Sequence, residues 1–112
     1  MKKTIKFDIE LDENNLPINI SMNTSDSSVS KQELKALMIS AWDAKNKDTL
    51  RIDLWTKDML VNEMYIMYHQ TMLSMATTLE KSTSRNKLAD AFRDYCSFFA
   101  EQTKIIDVSK SD

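Results

Sequence analysis

The sequence predicts an α+β fold in the order β-β-α-β-α-α. A small, mainly antiparallel three-stranded sheet is packed on one face by helices. Three observations carry this. Apolar and polar residues alternate over 5–12 and again over 16–22, a short alternating run recurs near residue 50, and helical spacing then continues almost to the end.

The first strand holds Ile5, Phe7, Ile9 and Leu11 against Lys6, Asp8, Glu10 and Asp12. The second holds Leu16, Ile18, Ile20 and Met22, and Asp12-Glu13-Asn14-Asn15 joins the two as a hairpin turn. Asparagine there supplies the positive φ that glycine would otherwise provide. Pro17 cannot donate to a ladder, which assigns the second strand to an edge and gives a sheet order of 2-1-3.

After a polar loop over 23–29, Ser30-Lys31-Gln32-Glu33 reads as a capping box. Leu34, Leu37, Met38, Ala41 and Trp42 follow at i, i+3, i+4, i+7 and i+8, so a first helix is expected up to Asn46-Lys47-Asp48. Residues 49–56 form the third strand, with Leu50, Ile52 and Leu54 inward. Paired with the first strand, its polar face would meet Lys6, Asp8 and Glu10.

Asp58 is the expected N-cap of a second helix over about 59–81. Its core face holds Val61, Met64, Tyr68, Met72, Met75 and Leu79. Ser82-Thr83-Ser84 breaks the chain, and a third helix runs to about Lys104 with Leu88, Phe92, Tyr95, Phe99 and Ile106 inward. So short a connection makes the two helices an antiparallel hairpin.

The length, 112 residues, fits a single domain spanning 1–112, with 107–112 as a flexible tail. A net charge of −2 gives no basic excess for nucleic acid. No apolar run approaches the roughly 18 residues of a membrane span, and the basic start lacks the apolar core of a signal peptide. A lone Cys96 fits a reducing compartment, so a cytoplasmic location is expected. The sequence contains no glycine, which excludes the phosphate loop, the dinucleotide turn and the nucleophile elbow together.

The candidate sites follow from what these elements leave outside. Arg51, Asp53 and Trp55 share the outward face of the third strand, and tryptophan with arginine there suits a binding surface. Met59, Ile66 and Leu73, seven apart, make a second stripe on the polar side of the second helix, a short seam for a partner helix or a second copy. The chain has eight methionines, five of them (Met59, Met64, Met67, Met72 and Met75) on the same helix, which suit either a plastic core or an adaptable surface. His69 is the sole histidine and has no metal-ligand spacing. Asp8, Glu10, Asp12 and Glu13 read as a solvated face beside lysines. No catalytic residue, metal site or cofactor is expected.

The string Leu50-Arg51-Ile52-Asp53-Leu54-Trp55-Thr56-Lys57-Asp58-Met59, with Val61, Glu63 and Met64 after it, resembles the GldC family of gliding-motility proteins of Bacteroidetes. The opening Ile5 to Asn14 is similar to that family's start. Ala41-Trp42-Asp43, His69-Gln70-Thr71 and Phe92-Arg93-Asp94-Tyr95 also match, so the resemblance spans nearly the whole chain. Leu60 departs from it where proline is expected, at a position where proline is tolerated rather than required.

The resemblance implies a small soluble accessory of gliding, without known enzymatic activity or cofactor. Such a protein would act by docking to a gliding-machinery or envelope component, with Arg51, Asp53 and Trp55 as the expected contact and a homodimer as a further expectation. The reading from another class is a small-molecule-binding or chaperone-like domain that uses the methionine-rich surface.

Overall fold

A computed structural model describes residues 1–25 and 31–105. The expected flexible tail over 107–112 lies outside the described residues. Five strands and two helices follow in order: β1 (Ile5–Leu11), β2 (Pro17–Thr24), β3 (Gln32–Leu34), β4 (Ala36–Asp43), β5 (Asp48–Trp55), α1 (Val61–Thr83) and α2 (Asn86–Thr103). The chain divides into two compact units, Met1–Met59 and Leu60–Asp112.

Mixed strands and helices with antiparallel pairing are as expected, but the sheet is not. The first unit holds two sheets, one of order β1-β2-β3 and one of order β4-β5. The β1–β2 hairpin forms as read, pairing Phe7 with Met22 and Ile9 with Ile20. Asn15 supplies the positive φ of its turn, at 63°. The Asp12 carboxylate closes that turn, accepting the backbone N–H of Asn14 at 2.8 Å and of Leu16 at 3.0 Å.

Pro17 does not mark an edge strand, because β2 is the central strand of its sheet. Proline is nonetheless tolerated, since it is the first residue of β2 and β3 pairs only with Ile20, Ser21 and Met22. Glu10 pairs with Asn19 and Leu11 with Pro17, so Ile18 is the extra residue of a bulge. Ile20, central in β2, is fully buried.

The expected first helix is instead β3 and β4, separated only by Lys35. Spacing at i, i+3 and i+4 fits Leu34, Leu37, Met38, Ala41 and Trp42. Alternation fits Leu37, Ile39 and Ala41 equally well, and strand pairing decides between them. β4 lies antiparallel to β5 with Leu37 opposite Leu54, Ile39 opposite Ile52 and Ala41 opposite Leu50. Both strands therefore place their apolar residues on the same face.

The connecting turn is built on Asp43, whose carboxylate accepts the Lys45 backbone N–H at 3.0 Å and the Asn46 side-chain N–H at 2.8 Å. Those bonds, the Asn46 amide first, hold the Asp43 carboxyl below its usual range. Lys47 takes the positive φ, 52°.

β5 thus pairs with β4 and not with β1, and its polar face does not meet Lys6, Asp8 and Glu10. After β5 the chain turns back. Thr56, only 3% exposed, donates its backbone N–H to the Lys35 carbonyl at 2.8 Å, and its hydroxyl, 3.3 Å from the same oxygen, donates to the Asp58 carboxylate at 2.5 Å. Lys57 pairs with Asp12. That cation and the two backbone donors together hold the Asp12 carboxyl down at about 2, with the Lys57 hydrogen bond the largest cause.

The second unit is a helical hairpin, as expected. Its first helix does not start on Asp58, whose carboxylate is taken by the Thr56 hydroxyl. Leu60 is the N-cap, and Glu63 accepts its backbone N–H at 2.9 Å. Ser84, at φ 60°, ends α1 in the left-handed conformation.

The helix contact also differs from the expected one. The buried positions are Ala76 on α1 and Ala89, Cys96 and Ala100 on α2, small side chains that let the backbones approach closely. Five residues of the expected core faces are instead substantially exposed: Val61, Tyr68, Met75, Leu88 and Tyr95. Arg93 crosses the contact to Glu80 at 2.8 Å and also pairs with Asp90 at 3.0 Å.

Candidate functional site

The face proposed from sequence belongs to the β4–β5 hairpin. In the observed register Trp55 lies opposite Ala36, Asp53 opposite Met38, Arg51 opposite Ser40 and Thr49 opposite Trp42. The face therefore reads Trp55, Asp53 and Arg51 from β5, and Met38, Ser40 and Trp42 from β4. Alternation on two paired strands puts all of them on one side.

Arg51 is fixed at its centre. Its guanidinium donates to the Asp53 carboxylate at 2.5 Å and also to the Ser40 hydroxyl. Both charged side chains are a little under half exposed, 46% and 41%. A pair this open to water adds a fraction of a kcal/mol at most, so it orients the face more than it stabilises the fold.

The two tryptophans stand at opposite ends of this face. Trp55 is 54% exposed and Trp42 is 67% exposed. Six residues of extended β5 separate Thr49, opposite Trp42, from Trp55, so the indoles bracket a surface about 20 Å long.

Trp42, Ser40 and Met38 are the members that sequence reasoning missed, since it placed them on a helix with Trp42 inward. The signal was present in Asp43 and Asn46, which build a turn between two alternating runs.

Trp55 also walls a mostly apolar concavity of about 260 Å³ with Leu16, Pro17 and Leu54. That is less than the roughly 300–1,000 Å³ of ordinary ligand sites. The opposite face of the hairpin is incompletely covered as well. Leu37 is buried, whereas Leu50 and Ile52 are 56% and 48% exposed.

The second proposed stripe does not assemble on one helix. Met59 precedes the Leu60 N-cap and so lies outside α1. Ile66 is half-buried, and Leu73 is 39% exposed. Of the methionines in this region, Met59, Met64, Met67 and Met72 are half-buried, and only Met75 is exposed.

The remaining candidates have local roles. Asp8 pairs with Lys6 at 3.8 Å, and Glu10 accepts from the Asn19 side chain at 3.3 Å. Both line an open polar concavity of about 460 Å³ with Ser21, Lys31 and Glu33. His69 is half-buried. Cys96 is fully buried, and burial pushes its thiol up and away from the reactive thiolate. Among the described residues no group of three or more His, Cys, Asp or Glu is gathered as a metal site would need. No described helix is long and apolar enough to cross a membrane.

No curated protein and no solved structure matches the chain. The model of one family does match, over residues 17–105, and its description is gliding motility-associated protein GldC-like. The match takes in both β4 and β5, both helices and every residue of the two-tryptophan face, and the chain belongs to the GldC-like family of gliding motility-associated proteins.

Proposed function

We propose that this protein serves gliding motility as a non-catalytic interaction module in the cytoplasm, and that it docks a protein component of the machinery on the β4–β5 face. The observation that carries this reading is the pair of exposed indoles, Trp42 and Trp55, around a bonded Arg51–Asp53 centre. Tryptophan and arginine dominate binding hot spots because they offer large rigid contact area and directional donors. The Arg51–Asp53 pair arrives already neutralised and oriented, so a partner meets a flat, pre-organised surface about 20 Å long. A strand or a flat protein surface suits that shape better than a small molecule, for which the adjacent concavity is small.

The test is made in the gliding bacterium that carries this chain. The Trp42→Ala/Trp55→Ala variant replaces the wild type at its own locus, and colony spreading and protein level are measured together. Lost spreading at an unchanged protein level is expected. Normal spreading would remove the face from the function. A photo-crosslinking amino acid at position 38 or 53 then identifies the component that is bound.

A further inference from the structure

The helical hairpin carries an apolar surface that its own packing covers only in part. On α1, Val61, Tyr65, Tyr68, Met72, Met75 and Leu79 follow one another at alternating steps of four and three. On α2, Leu88, Ala91, Tyr95, Phe98 and Gln102 do the same at steps of three and four. Such spacing makes a straight seam along a helix, the pattern by which helices pack on other helices.

Most positions of both seams are exposed, while Met72 and Leu79 are half-buried. Val61 is 68% exposed, Tyr68 45% and Met75 51%; Leu88 is 47% exposed, Tyr95 51% and Phe98 54%. The fully enclosed part of the helix contact is Ala76, Ala89, Cys96 and Ala100, and at its edge the Phe99 ring meets Tyr65 edge to face at 6.1 Å.

The two seams are joined into one surface. The Phe99 ring lies 6.3 Å from that of Tyr68 on α1 and 6.4 Å from that of Tyr95 on its own helix, and Tyr95 is 6.0 Å from Phe98. An aromatic band thus crosses the hairpin from helix to helix.

We infer that this face is where a second copy of the chain docks, so that two helical hairpins close into a four-helix bundle about a twofold axis. Area supports it. Six large side chains about half exposed, at about 200 Å² each, offer on the order of 600 Å². That approaches the roughly 800 Å² per partner of a standard stable interface, and polar rim residues supply the remainder. Charge supports it too. None of the eleven seam residues is ionisable at neutral pH, so a twofold axis brings no like charges together, although the chain carries a net −2. The repeat also asks for partner helices with matching three-four spacing, and this chain supplies two of them side by side.

The test is the mass in solution, by sedimentation equilibrium of the full chain from about 1 to 200 μM. A dimer of twice the 13.0 kDa chain mass is expected, with Tyr95→Glu weakening dimerisation by about 100-fold at unchanged helix content. Val61→Lys and Phe98→Lys, at the most exposed seam positions, are milder and serve should Tyr95→Glu fail to fold. Trp55→Ala should leave the dimer intact, which separates this surface from the docking face proposed above. A wild type monomeric throughout, or a dimer that survives both lysine variants, would overturn the inference.

Discussion

Trp42 and Trp55 stand at opposite ends of one face of the β4–β5 hairpin, more than half exposed, with the Arg51–Asp53 ion pair between them. Thirteen residues apart in sequence, they are brought to one surface only by the hairpin register. Exposed indoles contribute little to a fold and much to an interface. Trp42→Ala and Trp55→Ala should each weaken binding of the docked component about 30-fold, the loss expected for a hot-spot residue of about 2 kcal/mol. Melting temperatures should hardly move. Titration calorimetry with the crosslinked component, once purified, reads the first effect and thermal melts read the second.

The Asp12 carboxylate ties the first hairpin turn to Lys57 at the end of β5, and its pKa falls to about 2. An unfolded aspartate titrates near 3.9. The stabilisation from this group is therefore complete above about pH 4 and is lost as pH falls from there through about 2. Asp43, Asp58 and Glu80 are lowered as well, by Asn46, Thr56 and Arg93 respectively, and so add loss in the same direction. Melting temperature measured from pH 5 to pH 2 should drop steeply. The drop should be shallower in Asp12→Asn, which starts less stable because it has lost its pairing with Lys57.

Among the described residues, four hold positive φ: Asn15, Lys47, Ser84 and Lys104. Their Cβ atoms make this conformation unfavourable by about 1–2 kcal/mol, least for asparagine. Glycine removes that clash but enlarges the unfolded ensemble. The net expectation for Lys47→Gly and Ser84→Gly is a gain of about 0.5–1 kcal/mol each, with Asn15→Gly nearly neutral. Urea midpoints at constant slope report it.

Burial differs sharply among the apolar residues of the strands. Ile20 is fully enclosed, whereas Leu50 is 56% exposed. Ile20→Ala should cost about 2–5 kcal/mol and Leu50→Ala less than about 1. Ala76 is fully buried where the two helices approach closely, so Ala76→Leu should cost about 1–3 kcal/mol by overpacking. Chemical denaturation of the three variants provides the comparison.

The elements legible in the sequence are those with one dominant signal. Strict alternation located β1 and β2, and Asn15 marked the turn. A long 3.6-residue period located both helices, whose ends fell within a few residues of Val61–Thr83 and Asn86–Thr103. Residues 32–43 carried two patterns at once. Leu34, Leu37 and Ala41 fit a helix, while Leu37, Ile39 and Ala41 fit a strand, and only the pairing with β5 decided. The helix contact was misplaced for a different reason. Large apolar side chains dominate a periodicity count, yet the close contact here belongs to Ala76, Ala89, Cys96 and Ala100. Of the two-tryptophan face, β5 displayed its half openly, and the half on β4 was hidden by the helical reading. Met59 was counted as helical because the start of α1 was set two residues early, at Asp58 instead of Leu60.

Lys35 is the single residue between β3 and β4, and so between the two sheets, and its carbonyl accepts the backbone N–H of Thr56, just after β5. This corner acts as a mechanical coupling. A pull on the hairpin at Trp55 passes through Thr56 into Lys35 and from there along β3 into β2, so neither sheet bears the load alone. On the docking role proposed above, a partner that moves the β5 end of this face moves β3 and β2 with it, and not the outer hairpin by itself.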